Sequence, residues 1–170
     1  MDLCLVRHGI AGERGPLYPD DSKRPLTAAG RERMAEAAAG LRELFTPDVV
    51  FSSPLTRARE TAEIVAAAYG GREVRFTQAL ADGDGERLLS ELAAAGAARA
   101  MAVGHEPFMS ATLSWLLTGD PERMASEFKK GAAALVECAG PLSPGRCSLA
   151  WLIQPAGLRA IGRAAKSAGD

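Results

Sequence analysis

The stretch CLVRHGIAG, residues 4–12, joins an apolar run to an arginine, a histidine and a glycine. Residues 2–6 are apolar enough to predict a short buried strand that leads into a loop at Arg7, His8 and Gly9. His8 is one of only two histidines in the chain. A histidine beside a permanently charged guanidinium favours a site that receives negative charge.

Two other predicted strands are also followed by basic side chains. The buried run DVVFSS, residues 48–53, leads to Ser53–Pro54, which predicts a helix with Ser53 as N-cap and Pro54 at its first position. Arg57 and Arg59 then fall in the first helical turn. The run at 98–105 ends in a glycine and the second histidine, His105, directly before another predicted helix.

These basic groups predict an anion site, because the carboxyl ends of strands in an open α/β sheet gather at one edge. A first-turn arginine opposes the helix dipole at a cost of about 0.3–1 kcal/mol, unless an anion lies between it and the helix end. A compact dianion such as a phosphoryl group suits the arrangement. Each residue also has an ordinary structural interpretation: a packed histidine, or an arginine paired with Glu60. Their occurrence together at three strand ends favours the anion site.

The alternation of strands and helices predicts a three-layer α/β/α sandwich with a mainly parallel central sheet and one antiparallel edge element. Residues 1–170 are predicted to form one domain. The predicted elements after the first two strands are a helix over 27–45, a short edge strand at 74–76, a hairpin of strands at 132–138 and 147–154, and a closing helix over 155–165.

Composition excludes several classes of protein. The net charge of −1 gives no broad basic surface for nucleic acid, and no apolar run is long enough to cross a membrane. The odd number of cysteines, three, without a CxxC spacing argues against a disulfide framework and a structural zinc site. Cys4 is predicted to be a buried apolar residue. A reducing, cytoplasmic location is the resulting expectation.

The sequence resembles the histidine phosphatase superfamily, whose RHG hallmark is present as Arg7-His8-Gly9. Within that superfamily it is similar to the SixA-type phosphohistidine phosphatases, since the chain is small and has no large inserted cap. The fold implied is phosphoglycerate mutase-like. The matching stretches are LVRHGIA (5–11), RPLTAAG (24–30), FSSPLTRARETAEI (51–64), VGHEP (103–107) and WLIQPAGL (151–158).

The resemblance implies a mechanism for the predicted anion site. His8 attacks phosphorus and forms a phosphoenzyme, while Arg7 and Arg57 hold the phosphoryl oxygens and His105 completes the pocket. Gly9 belongs to the same phosphate-binding loop. Water then releases inorganic phosphate, and no metal or cofactor is implied.

The sequence leaves the roles of two residues, Arg24 and Asp82, open. Arg24, in the RPLT stretch, either contacts the phosphoryl group or forms a structural salt bridge to Asp20 or Asp21. Asp82 is a candidate for the general acid that protonates an alkoxide leaving group. A phosphohistidine leaves as neutral imidazole and needs less assistance.

The resemblance therefore predicts a metal-independent phosphatase, a hydrolase of phosphoryl groups. It would act in signal transduction on a phosphohistidine-containing protein. The alternatives are a small-molecule phosphomonoesterase with the same pocket and a non-catalytic phosphate- or phosphopeptide-binding module. The presence of Arg7, His8, Arg57 and His105 together argues against the non-catalytic alternative.

Overall fold

The computed structural model describes residues 1–169 and contains one six-stranded sheet with the strand order β3-β2-β4-β1-β5-β6. The strands are β1 (Asp2–Arg7), β2 (Val49–Ser52), β3 (Val74–Phe76), β4 (Arg99–Gly104), β5 (Ala133–Glu137) and β6 (Ser148–Ile153). The helices are α1 (Ala28–Leu44), α2 (Thr56–Ala68), α3 (Ala79–Asp82), α4 (Gly85–Ala94), α5 (Phe108–Thr118) and α6 (Pro155–Gly169).

The sheet is mostly parallel, and β1 lies near its centre. β1 pairs in parallel with β4, and β2 pairs in parallel with both β4 and β3. β5 runs antiparallel to β1 and to β6, so the antiparallel pair of β5 and β6 closes one edge. The predicted α/β sandwich with a mainly parallel sheet and an antiparallel edge element is confirmed.

Side chains of β1 alternate between two hydrophobic cores, one on each face of the sheet. Leu3 and Leu5 pack in the core that α3, α4 and α5 cover. Cys4 and Val6 pack in the other core, which α1, α2 and α6 cover. Because both faces are buried, the strand is a continuous apolar run rather than an alternating one.

Helices α1 and α6 approach so closely that their contact requires glycine. A Cβ on Gly40 would lie 1.8 Å from the Leu158 carbonyl oxygen, and one on Gly162 would lie 2.8 Å from the Gly40 nitrogen. The two helices are therefore packed backbone to backbone at this point.

The structure corrects the predicted start of α2. The helix begins at Thr56 with Leu55 as N-cap, and no side chain caps it. Ser53 is not the N-cap, because its hydroxyl is hydrogen-bonded to His105 Nε2 at 2.9 Å and accepts the Leu55 amide at 3.3 Å. The other predicted elements are present within a few residues of their expected ends.

The prediction against disulfides is wrong for one pair. Cys138, directly after β5, is bonded to Cys147, directly before β6, with their Cα atoms 4.5 Å apart. An odd cysteine count excludes complete pairing but does not exclude one local bridge between adjacent antiparallel strands. Cys4 is free and fully buried, as predicted.

Among the described residues, none of the helices combines the length and apolar character needed to cross a bilayer.

Candidate active site

Adjacent strands bring the two histidines to one edge of the sheet. His8 follows β1 and His105 follows β4, and the His8 amide donates to the Gly104 carbonyl at 3.0 Å. The centroids of the two imidazole rings are 5.1 Å apart, with the ring planes tilted by 55°. The sequence-based expectation that these strand ends meet is confirmed for both histidines.

His8 is buried with a defined tautomer. Only 5% of the residue is exposed, and its Nδ1 lies 2.7 Å from the Gly9 carbonyl oxygen. Since a carbonyl only accepts, Nδ1 carries the proton and Nε2 keeps its lone pair. Burial lowers the pKa of His8 to about 3, and the nearby His105, Arg57 and Arg7 act in the same direction against the Gly9 hydrogen bond. His8 is therefore neutral and nucleophilic at physiological pH.

His105 is also held neutral. Burial lowers its pKa to about 4, and the positive charges of Arg57, Arg24 and Arg7 contribute, opposed by Asp21. Its Nε2 is bonded to the Ser53 hydroxyl, while its buried Nδ1 has no hydrogen-bond partner in the described part of the chain. The ring thus keeps one nitrogen available for a ligand.

Arg7 is fixed by backbone groups rather than by a carboxylate. One terminal nitrogen donates to the Phe128 carbonyl oxygen, and the Gly131 amide donates to the carbonyl oxygens of Arg7 and His8, at 3.1 Å each. The buried Nε of Arg7 has no partner among the described residues. The guanidinium is therefore oriented without being neutralised.

Arg57, in the first turn of α2, is held by the loop of residues 10–26. Its Nη1 donates to the Asp21 carbonyl oxygen at 2.9 Å and lies 3.2 Å from Asp21 Oδ2. Its buried Nε is without a partner in the described residues. Burial lowers the pKa of Arg57, and the Asp21 carboxylate opposes that shift.

Asp21 connects three arginines, and this places Arg24. Arg14 Nε and Arg24 Nε each lie 2.9 Å from Asp21 Oδ1, in addition to the contact with Arg57. Hydrogen bonds from Arg14 and Arg24 hold the pKa of the Asp21 carboxyl far below its usual range. Arg24 also donates to the Gly12 carbonyl at 2.8 Å. The structure contains the salt bridge of Arg24 to Asp21, and the contact of Arg24 with a phosphoryl group stays a prediction.

Three of the five buried side-chain N and O atoms without a partner in residues 1–169 belong to the predicted site residues. They are the Nε atoms of Arg7 and Arg57 and Nδ1 of His105. A buried donor left without a partner costs about 1–3 kcal/mol, and more when the group is charged. Unsatisfied donors on three residues of the predicted anion site are consistent with an external acceptor such as an oxyanion.

Gly30 lets the loop after β1 approach α1 closely. A Cβ on Gly30 would lie 2.0 Å from the Ile10 carbonyl oxygen, so no larger residue fits there. The Gly9 amide donates to Thr61 Oγ1 at 3.0 Å, and that hydroxyl donates to the Arg57 carbonyl at 2.7 Å. Thr61 therefore joins the loop of His8 to the helix that carries Arg57. The sequence-based search did not identify Thr61, whose position on the buried face of α2 was the available signal.

Glu106 is a second residue that the search missed. Its carboxylate accepts the Phe128 amide at 3.1 Å, the Ser110 amide at 3.1 Å and the Ser110 hydroxyl at 2.6 Å. Phe128, whose amide Glu106 binds, is also the residue whose carbonyl oxygen accepts the hydrogen bond from Arg7. Glu106 is thus a positioning residue for Arg7, and its place directly after His105 in the VGHEP stretch was its signal.

Asp82 lies apart from this network. It is exposed at the end of α3, and no hydrogen bond or ion pair within residues 1–169 joins it to the residues above. The neighbouring Asp84 caps α4 by accepting the Arg87 amide at 2.9 Å. The role of Asp82 as general acid stays a prediction.

No cluster of three or more histidine, cysteine or acidic side chains suited to a metal ion is found in the described residues. Positive charge in the site comes from its arginines.

Comparisons with known proteins agree with this geometry. Residues 3–88 match the model of the histidine phosphatase superfamily (branch 1). An uncharacterized protein of Picosynechococcus sp. is 40% identical over 112 residues, which cover 63% of this chain and 67% of that protein.

Two solved structures extend the similarity over most of the chain. The protein histidine phosphatase SixA, in complex with tungstate, is 25% identical with a TM-score of 0.78, covering 93% of this chain and 99% of that one. A candidate phosphohistidine phosphatase SixA of Nakamurella multipartitia is 30% identical with a TM-score of 0.74, covering 91% and 95%. The chain belongs to the histidine phosphatase superfamily, branch 1, and is a SixA-like phosphatase.

Proposed function

We propose that this enzyme dephosphorylates phosphohistidine on a protein through a phosphorylated His8 and without a metal ion. The observation that carries the proposal is the set of three buried, unpartnered nitrogens beside a neutral histidine with a free Nε2. The SixA structure with tungstate supports it, since that relative binds a tetrahedral oxyanion.

In the first step, Nε2 of His8 attacks phosphorus opposite the leaving imidazole, so that one N–P bond forms as the other breaks. Arg7 and Arg57 hold the non-bridging oxygens, and Nδ1 of His105 donates to a third. Solvent protonates the other ring nitrogen of the substrate phosphohistidine before the N–P bond breaks, so the leaving group departs as neutral imidazole. The Gly9 carbonyl continues to accept the Nδ1 proton of His8, which stabilises the phosphorylated ring.

In the second step, water attacks phosphorus in line, the bond between His8 Nε2 and phosphorus breaks, and phosphate leaves with the protons of the water, which restores neutral His8. The same two guanidinium groups neutralise the transition state, assisted by the positive N-terminal end of α2. With positive charge from these side chains and the helix end, the proposed reaction does not need a metal ion.

The leaving group supports a phosphohistidine substrate over a phosphoester. An alkoxide needs a proton donor in the pocket, and the acid suggested for that task, Asp82, is not bonded to the site residues. A protonated imidazole leaves without such a donor. We therefore propose a phosphorylated protein of a signalling pathway as the partner of this enzyme.

Trapping of the intermediate tests the mechanism. The protein is incubated with labelled phosphoramidate, quenched, and mapped for an acid-labile, alkali-stable label. We expect label on His8, none in His8→Ala, and slower labelling in His105→Ala, which keeps the nucleophile. Label on another residue, or labelling of His8→Ala equal to that of the wild type, contradicts the mechanism.

The substrate class is tested separately by turnover of a phosphohistidine peptide and of p-nitrophenyl phosphate at equal concentration. We expect faster turnover of the peptide. A clear preference for the ester would favour the small-molecule phosphomonoesterase instead.

A further inference from the structure

A groove of about 480 Å³ opens beside the active site, and its charged lining is almost entirely cationic. It lies between α1, the start of α6 and the segment 127–131, and Arg7 and Gly9 form its inner end. The charged side chains that line it are Arg7, Arg33, Glu127, Lys129, Lys130 and Arg159. We call it the basic groove. Five cations face a single carboxylate in a protein whose net charge is −1.

The cations of the basic groove are unusual in lacking partners. Of the 20 lysines and arginines, 13 lie within 4.0 Å of a carboxylate oxygen. Among the residues that the structure describes, seven have no such neighbour, and four of those seven line the basic groove: Arg7, Arg33, Lys129 and Lys130. Unpaired positive charge is therefore concentrated on one surface.

The segment that carries the two lysines is fixed relative to His8. Gln154 donates to the Glu127 carbonyl at 2.7 Å and accepts the Lys129 amide at 3.1 Å. At the other end, the Gly131 amide donates to the carbonyls of Arg7 and His8. The backbone that carries the lysines is thus fixed relative to the loop of His8.

The basic groove adjoins the predicted phosphate site, because Arg7 and Gly9, on either side of His8 in the sequence, both line it. Its floor is apolar, formed by Ile10, Met34 and Ala37. Cations around an apolar floor suit an acidic protein surface, whose carboxylates meet the rim while its side-chain carbons cover the floor. A single small anion would use only part of this length.

We propose that the basic groove docks an acidic surface flanking the phosphohistidine of the protein substrate. The proposal rests on the proposed function and adds the charge of the partner. Docking of this kind raises the encounter rate and selects partners, and it weakens with ionic strength.

Two phosphohistidine peptides of identical length test this inference, one with glutamates flanking the phosphohistidine and the other with glutamines. The quantity measured is the ratio of kcat/KM for the glutamate peptide to that for the glutamine peptide. Exposed charge pairs contribute up to about 1 kcal/mol each, so we expect a ratio of roughly tenfold for the wild type at low salt. At about 1 M NaCl, where the Debye length is about 3 Å, the ratio should approach one.

Charge reversal locates the effect. In Arg33→Glu with Lys130→Glu the ratio should fall to about one or below, and in the neutral Arg33→Gln with Lys130→Gln it should fall part of the way. The matched control is Arg72→Glu with Arg146→Glu, which changes net charge equally at two exposed cations that have no ion pair within residues 1–169 and lie outside the groove. The control should keep the wild-type ratio.

The outcomes separate the docking inference from the proposed function. A wild type that hydrolyses neither peptide contradicts the proposed function. A wild type that hydrolyses both equally, or a ratio lost alike in both charge-reversal variants, overturns docking alone. Docking is also overturned if the groove variants keep the ratio but lose inhibition by inorganic phosphate, which would identify a small-anion site.

Discussion

His8 and His105 are kept neutral by burial among positive charges, and this makes the stability of the fold depend on pH. In the unfolded chain a histidine takes up a proton as the pH falls through about 6.5. In the folded protein the pKa values are about 3 for His8 and about 4 for His105. The folded state therefore favours the neutral rings. Their contribution to the free energy of unfolding is fully present above about pH 6.5 and decreases as the pH falls below that value.

We predict that the free energy of unfolding falls by about 4 kcal/mol between pH 7 and pH 5, or about 2 kcal/mol for each histidine. Urea denaturation at the two pH values measures this loss. The variant His105→Gln retains a partner for Ser53 and should lose about half as much. An equal loss in the wild type and the variant would show that His105 does not contribute.

At the scale of elements, the site depends on the loops that follow the strands. Glu106 and Phe128 link the start of α5 to the segment that holds Arg7. We predict that Glu106→Ala raises KM for a phosphohistidine peptide by roughly tenfold, with a smaller change in kcat, because a misplaced charged hydrogen-bond donor costs about 1.5–3 kcal/mol.

The matched control is Ser110→Ala, which removes one hydroxyl contact with Glu106 but leaves the Phe128 amide bonded to the carboxylate. It should show a KM close to that of the wild type. A KM change of equal size in both variants would assign the effect to α5 rather than to Arg7.

The elements themselves were largely predictable from sequence. Apolar runs and helical periodicity identified the strands and the helices, and the carboxyl-end rule placed His8, His105 and Arg57 together. The start of α2 was misplaced because Ser53 has a tertiary partner, His105, that no local capping rule contains. Glu106, Thr61 and Asp21 act through contacts with residues distant in sequence. Local sequence patterns do not predict such contacts.

At the scale of the whole molecule, a nearly neutral protein places Arg7 and three other unpaired cations of the basic groove beside the active site. An oxyanion bound at His8 should therefore stabilise the entire fold. We predict that phosphate at about 100 times its dissociation constant raises the free energy of unfolding by about 2.7 kcal/mol.

Arg57→Ala should remove most of this stabilisation. Arg59→Ala is the matched control, since Arg59 lies in the same helix but is paired with Glu63 at 3.8 Å. Urea denaturation with and without phosphate measures both. If Arg57→Ala kept the full effect of phosphate, the anion would bind elsewhere.

The acceptor for Nδ1 of His8 is a main-chain oxygen of the very next residue. No side-chain replacement can delete that oxygen, so the direction of the reactive lone pair is inherited from the course of the polypeptide itself. Substitutions can remove the arginines or change the surface that contacts a partner. The orientation of the imidazole is kept as long as the backbone conformation after β1 is unchanged.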